Sequence, residues 1–123
     1  MLPLQDRLKV LERHSAAHLA AALRAPSGDV CAPRDAYQAG YVALMSTLSE
    51  EEVRSIADHP NPDAAVRATD RLGLSSEDRE HAAAGAASYY SPETSMERPL
   101  SEQIEWARRV RTAAGWPAEL STP

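Results

Sequence analysis

His14 and His18 stand four residues apart in a stretch with helical patterning. That spacing puts two imidazoles on one helix face, close enough to share a metal ion. In the zinc-protease version of this pattern a glutamate follows the first histidine, and here Ser15 occupies that place. A third ligand would have to come from Cys31, His59, His81 or a distant carboxylate, and a metal site needs ligand number and geometry together. The expectation is therefore no metal and no cofactor, with both imidazoles bordering an apolar stripe. Glu50, Glu51 and Glu52 have the chemistry of acid–base carboxylates, but they fall in the first turn of a helix, where the macrodipole favours negative charge. The five glycines, at 28, 40, 73, 85 and 115, are isolated from one another. This excludes phosphate-cradling loops and nucleophile elbows, which need clustered glycines.

The elements that must carry these residues read as helices throughout. Leu4, Leu8, Leu11 and Leu19 or Leu23 predict a first helix over 4–23. Pro26, Gly28 and Pro33 predict a loop over 25–33. Tyr37, Tyr41, Leu44 and Leu48 give the second helix, 34–48, a continuous apolar face. Ser49 and Glu52 form a capping box for a short third helix carrying Val53 and Ile56. His59-Pro60-Asn61-Pro62 ends that helix and starts the fourth, with Asn61 as N-cap. Gly73 closes the fourth helix, with Leu74 packing back. Ser75 or Ser76 caps a fifth that runs through Ala82–Ala87 to Tyr89 and Tyr90 and stops before Pro92. Ser101 is expected to cap the last, whose inward stripe is Leu100, Ile104, Ala107, Val110 and Ala114. Residues 118–123 read as a frayed tail. Strand signals are absent, so the fold class is all-α: a compact bundle of five to six helices, residues 1–123 forming one domain.

Composition limits what such a bundle can do. Alanine supplies 23 of the hydrophobic residues, phenylalanine is absent, and Leu, Ile and Val together number 20. A core this thin suggests closely approaching helices and extra burial against a second copy. The net charge is −5, and the densest basic cluster is Arg108, Arg109 and Arg111. DNA binding is not expected of such a chain. No run approaches the roughly 18 apolar residues that span a bilayer. The lone Cys31 has no partner for an internal disulfide. A cytoplasmic protein without membrane contact is expected.

Arg54 and His59 are separated by four residues, Asp35-Ala36-Tyr37-Gln38-Ala39-Gly40-Tyr41 forms a tyrosine-bearing helix, and Ala87-Ser88-Tyr89-Tyr90-Ser91-Pro92 closes another. In these features residues 34–92 resemble HEPN domains, small helical bundles whose ribonuclease members carry an arginine, four to six residues, then a histidine. The residue after the arginine is Ser55, where the family more often has Asn or Asp. The resemblance implies a metal-independent ribonuclease of toxin type. In it His59 would activate the ribose 2′-hydroxyl and Arg54 would steady the charge on phosphorus. It also implies a paired arrangement of chains. Many members bind partners without cutting RNA.

The same arginine–histidine spacing recurs at Arg7 with His14 and at Arg13 with His18. The leading expectation is therefore a small helical protein-interaction module, self-associating as a homodimer or binding a protein partner. Tyr37, Tyr41 and Leu44, together with Ala82–Ala87, are the expected contact surfaces. The HEPN-like ribonuclease, with RNA as substrate and Arg54 and His59 as catalytic residues, is the alternative. Trp106 and Trp116 are open to either a core or a contact role.

Overall fold

A computed structural model describes residues 4–54, 61–88 and 99–117. Among them are six helices and no strand: α1 (Leu4–Arg24), α2 (Ala32–Met45), α3 (Glu50–Arg54), α4 (Pro62–Arg71), α5 (Ser76–Ser88) and α6 (Leu100–Ala113). Helix α2 is central, touching α1, α4, α5 and α6, while α4 and α5 form a neighbouring hairpin. One continuous apolar cluster joins α1, α2, α4, α5 and α6.

The local signals act as their chemistry requires. Ser49 Oγ accepts from the Glu52 N–H, and Glu52 Oε1 accepts from the Ser49 N–H, which is the reciprocal capping box. Asn61 Oδ1 accepts from the Ala64 N–H, with Pro62 at the first helical position. Gly73, at φ +68°, lets the Leu74 N–H reach back to Thr69 O, and Ser75 rather than Ser76 caps α5 through the Asp78 N–H. Boundaries of α2 and α6 differ from expectation: α2 ends at Met45 and not at Leu48, the Ser46, Thr47 and Leu48 N–H groups bonding the carbonyls three residues earlier. Helix α2 begins two residues early, at Ala32, because Pro33 is accommodated in its first turn. Helix α6 begins at Leu100, with the extended Pro99 as N-cap; the Pro99 carbonyl accepts from the Glu102 and Gln103 N–H groups, and Ser101 makes no cap. Ile56, Tyr89, Tyr90, Pro92 and the expected frayed tail, 118–123, lie outside the described residues.

The shortage of large aliphatic side chains is met by rings. Tyr37, on α2, and Trp106, on α6, are fully buried and stack with parallel rings, their centroids 5.2 Å apart. His81, from α5, stacks on the same indole at 4.4 Å. The Tyr37 and Trp106 rings also have their polar atoms satisfied. The Tyr37 hydroxyl donates to Ala82 O at 2.7 Å, and the Trp106 indole N–H donates to Asp78 O at 3.1 Å, one turn earlier on α5. His81 hydrogen-bonds Gln103. The rings fit because glycines face them: Gly40 lies against Trp106 and Gly85 against Tyr37. Burial pushes the Tyr37 phenol well above its ordinary value of 10 and raises that of Tyr41.

Tyr37, Tyr41 and Leu44 are therefore core residues of the single chain, at 0%, 6% and 0% exposure, and not a surface for a second copy. The other expected surface is divided, because Ala82 and Ala86 face inward while Ala84 and Ala87 face outward. An apolar helix face must be covered, and here α2 is covered by the chain's own helices.

Candidate functional site

Helices α1 and α2 run antiparallel in a register fixed by three polar contacts. Arg7 donates to Leu48 O (3.0 Å), Ser15 Oγ donates to Ala39 O (2.7 Å), and His18 Nδ1 meets Asp35 Oδ1 (3.1 Å). Around α1, Ser15 and Leu19 mark the buried centre. At about 100° per residue, His14 and His18 fall on the flank nearer α2, whereas Glu12 falls on the flank nearer α6.

Arg111 of α6 joins that second flank. Its side chain is 1% exposed and donates to Ser15 Oγ (2.7 Å), Glu12 Oε1 (3.1 Å) and Pro117 O (3.0 Å). A guanidinium carries five donors and cannot shed its charge, so burial is tolerable only where such acceptors surround it. The last acceptor exists because Gly115, at φ +87°, reverses the chain. The Trp116 N–H then reaches Arg111 O at 2.8 Å. This turn lays Trp116 beside α1, with the Arg111 guanidinium carbon 5.7 Å from its ring centre.

The result is an open, largely apolar groove of about 280 Å³, lined by Leu8, Lys9, Glu12, Arg13 and Trp116. Its volume sits at or below the small end for drug-sized ligands, roughly 300 Å³, and suits one or two side chains. Glu12 is engaged by Arg111. Lys9 and Arg13, one turn apart on α1, make no ion pair among the described residues. In a chain of net charge −5 this rim is locally positive.

The other candidates suggested by residue type and spacing are spread over the molecule. Arg54 is exposed and pairs with Glu50 across one turn of α3 at 3.7 Å. His59 lies outside the described residues, so the Arg54–His59 geometry does not enter the site. Glu50 pairs with Arg54, as noted, and Glu51 is exposed. Among the described residues, no three His, Cys, Asp or Glu side chains converge as a metal site. Cys31 is exposed. The cluster Arg108, Arg109 and Arg111 dissolves into separate roles: Arg108 pairs with Glu105, Arg109 with the buried Asp78, and Arg111 is internal. No described helix is long and apolar enough to cross a membrane.

Glu52 works as a clamp between α3 and α4, bonded by both Arg71 guanidinium nitrogens at 2.8 Å. Arg71 chiefly, then the Ser49 N–H, holds its carboxyl down to about 2 from 4.5. A folded-state value below the unfolded one makes this contribution fully present above about pH 4.5 and lost as the pH falls towards 2. Glu52→Gln keeps the capping acceptor but not the charge, so it should flatten the acid limb of stability against pH in that window. Chemical denaturation at a series of pH values checks this, and curves that stay parallel from pH 4.5 to 2 would contradict it.

In the sequence Trp116 is open to a core or contact role and Arg111 counts in the basic cluster, but the sequence does not show that Arg111 is buried against α1. A signal was present, since Arg111 continues the spacing of Leu100, Ile104 and Ala107 at i+11. No protein-family model matches the chain, and no curated protein or solved structure matches it.

Proposed function

We propose that this chain is a small helical interaction module that binds an acidic, apolar-anchored segment of a protein partner in the groove beside Trp116. The observation that carries the reading is the pairing of an apolar floor, Leu8 and Trp116, with two rim cations, Lys9 and Arg13, on an otherwise acidic chain. A half-buried tryptophan is the residue type most often found at the energetic centre of an interface. A charged rim adds partner choice and encounter rate more than raw affinity.

Selection from a displayed random peptide library tests this. Peptides with one large apolar residue flanked by Asp or Glu should be enriched and should shift the NMR signals of Leu8 and the Trp116 indole. Their affinity should fall ten-fold or more in Trp116→Ala and in the Lys9→Glu/Arg13→Glu double variant, and should weaken with added salt. Peptides bound equally well by the charge-reversed variant would overturn the reading. So would a homodimer, seen by light scattering, that Trp116→Ala dissociates, because a second copy would then occupy the groove. RNA cleavage abolished by both Arg54→Ala and His59→Ala would replace the reading with the ribonuclease one.

A further inference from the structure

The flank of α1 that faces away from the groove carries a second arrangement, independent of the docking reading. His14 is exposed, and the His18 side chain is 38% exposed. Residues four apart on a helix lie about 5–6 Å apart at Cβ, so the two imidazoles can both reach one ion at about 2.0–2.1 Å. What lifts this pair above two surface histidines is Asp35. Its Oδ1 stands 3.1 Å from His18 Nδ1, across the α1–α2 junction. A carboxylate on Nδ1 fixes the tautomer and ring orientation and leaves Nε2 as the outward lone pair, as in carboxylate–histidine–metal triads. Gln38, one turn beyond Asp35 on the same flank of α2, holds a buried Oε1 with no hydrogen-bond partner among the described residues. The α1 neighbours of the pair at helical spacing are Val10, Leu11, Ser15, Ala17, Ala21 and Ala22, none of them cationic. On α1 itself Arg7 is two turns away and engaged with Leu48 O, while on α2 the exposed Arg34 adjoins Asp35.

We propose that His14 and His18 form a two-histidine chelate for a late first-row divalent ion, positioned by Asp35, with water in the open coordination places. Two neutral imidazoles and no thiolate favour Cu²⁺ over Ni²⁺ and Zn²⁺ and discriminate against Mg²⁺ and Ca²⁺. The absence of a third converging His, Cys, Asp or Glu among the described residues makes this an open chelate rather than a closed structural site.

The test is calorimetric titration of the untagged protein with CuCl₂, with continuous-wave EPR of the loaded sample. One ion per chain is expected, with hyperfine splitting from two imidazole nitrogens. His14→Ala and His18→Ala should each lower the affinity at least ten-fold, and Asp35→Asn should lower it by about ten-fold, the usual effect of losing an orienting carboxylate. His59→Ala should leave it unchanged. A folded His14→Ala/His18→Ala double variant that binds Cu²⁺ as tightly as wild type would overturn the proposal. So would a spectrum showing one imidazole nitrogen or none, or full affinity in Asp35→Asn. Far-UV circular dichroism of each variant separates lost ligands from lost folding.

Discussion

Arg111→Ala should destabilise the protein by about 2–5 kcal/mol, the range for truncating a large buried side chain to alanine. Three acceptors are affected at once: Ser15 Oγ, Glu12 Oε1 and Pro117 O. Ser15 keeps its bond to Ala39 O, and Glu12, one-third exposed, can be rehydrated. Much of the cost is therefore the emptied volume and the released turn at Gly115 rather than a stranded charge. Arg111→Met separates these terms by retaining volume without donors, and it should cost clearly less than alanine. Arg111→Lys should resemble methionine more than wild type, because a single ammonium cannot reach acceptors spread around a planar fork. Urea denaturation measures all three, and an Arg111→Ala midpoint equal to wild type would contradict the assignment. A loss of that size is a large share of the roughly 5–15 kcal/mol that holds a domain of this size.

Gly40→Ala and Gly85→Ala should each destabilise, reversing the sign that helix propensity alone predicts. At an exposed position inside a helix, alanine gains about 1 kcal/mol over glycine. Here a Cβ on Gly40 would come within 2.8 Å of Trp106 Cε3, and one on Gly85 within 2.8 Å of Tyr37 Cζ. Both rings are 0% exposed and stacked on each other, so neither can swing aside. Overpacking of this kind costs roughly 1–3 kcal/mol. Near-UV circular dichroism should fall with stability, since the stack supplies the asymmetric environment of Trp106. The two substitutions press on opposite members of one ring pair, so their effects should be coupled and not additive. An alanine variant at either glycine that is more stable than wild type would show that the helices separate readily there.

These two sites show where the sequence was legible and where it was not. Helix ends could be read because their causes are local: Ser49 with Glu52, Asn61 with Ala64, Gly73 with Leu74 each act within a few residues. The inner face of α5 could not. Asp78, His81, Ala82, Gly85 and Ala86 have helical spacing, but half of that face is polar or featureless until Arg109, Gln103 and the aromatic rings complete it. The apolar face of α2 was visible, but a face does not announce what covers it. Tyr37, Tyr41 and Leu44 read equally well as a surface for another chain, and only the tertiary arrangement assigns them to the core. The groove was hidden for a related reason. Leu8, Lys9 and Arg13 look ordinary in α1, and Trp116 joins them only through a turn at Gly115 more than 100 residues away.

The link between Arg111 and Glu12 joins positions 99 residues apart. Along α6 and its closing turn the contacts with α1 run from Arg111 at Ser15 to Trp116 at Leu8, so the last described residue, Pro117, heads towards the start of α1. Helices α1 and α6 thus lie side by side although they are the most distant pair in sequence among the described residues. Sequence order is then one of several ways to thread the same packing. A circular permutant that joins α6 to α1 and opens the exposed 26–31 segment between α1 and α2 would preserve every contact described between helices.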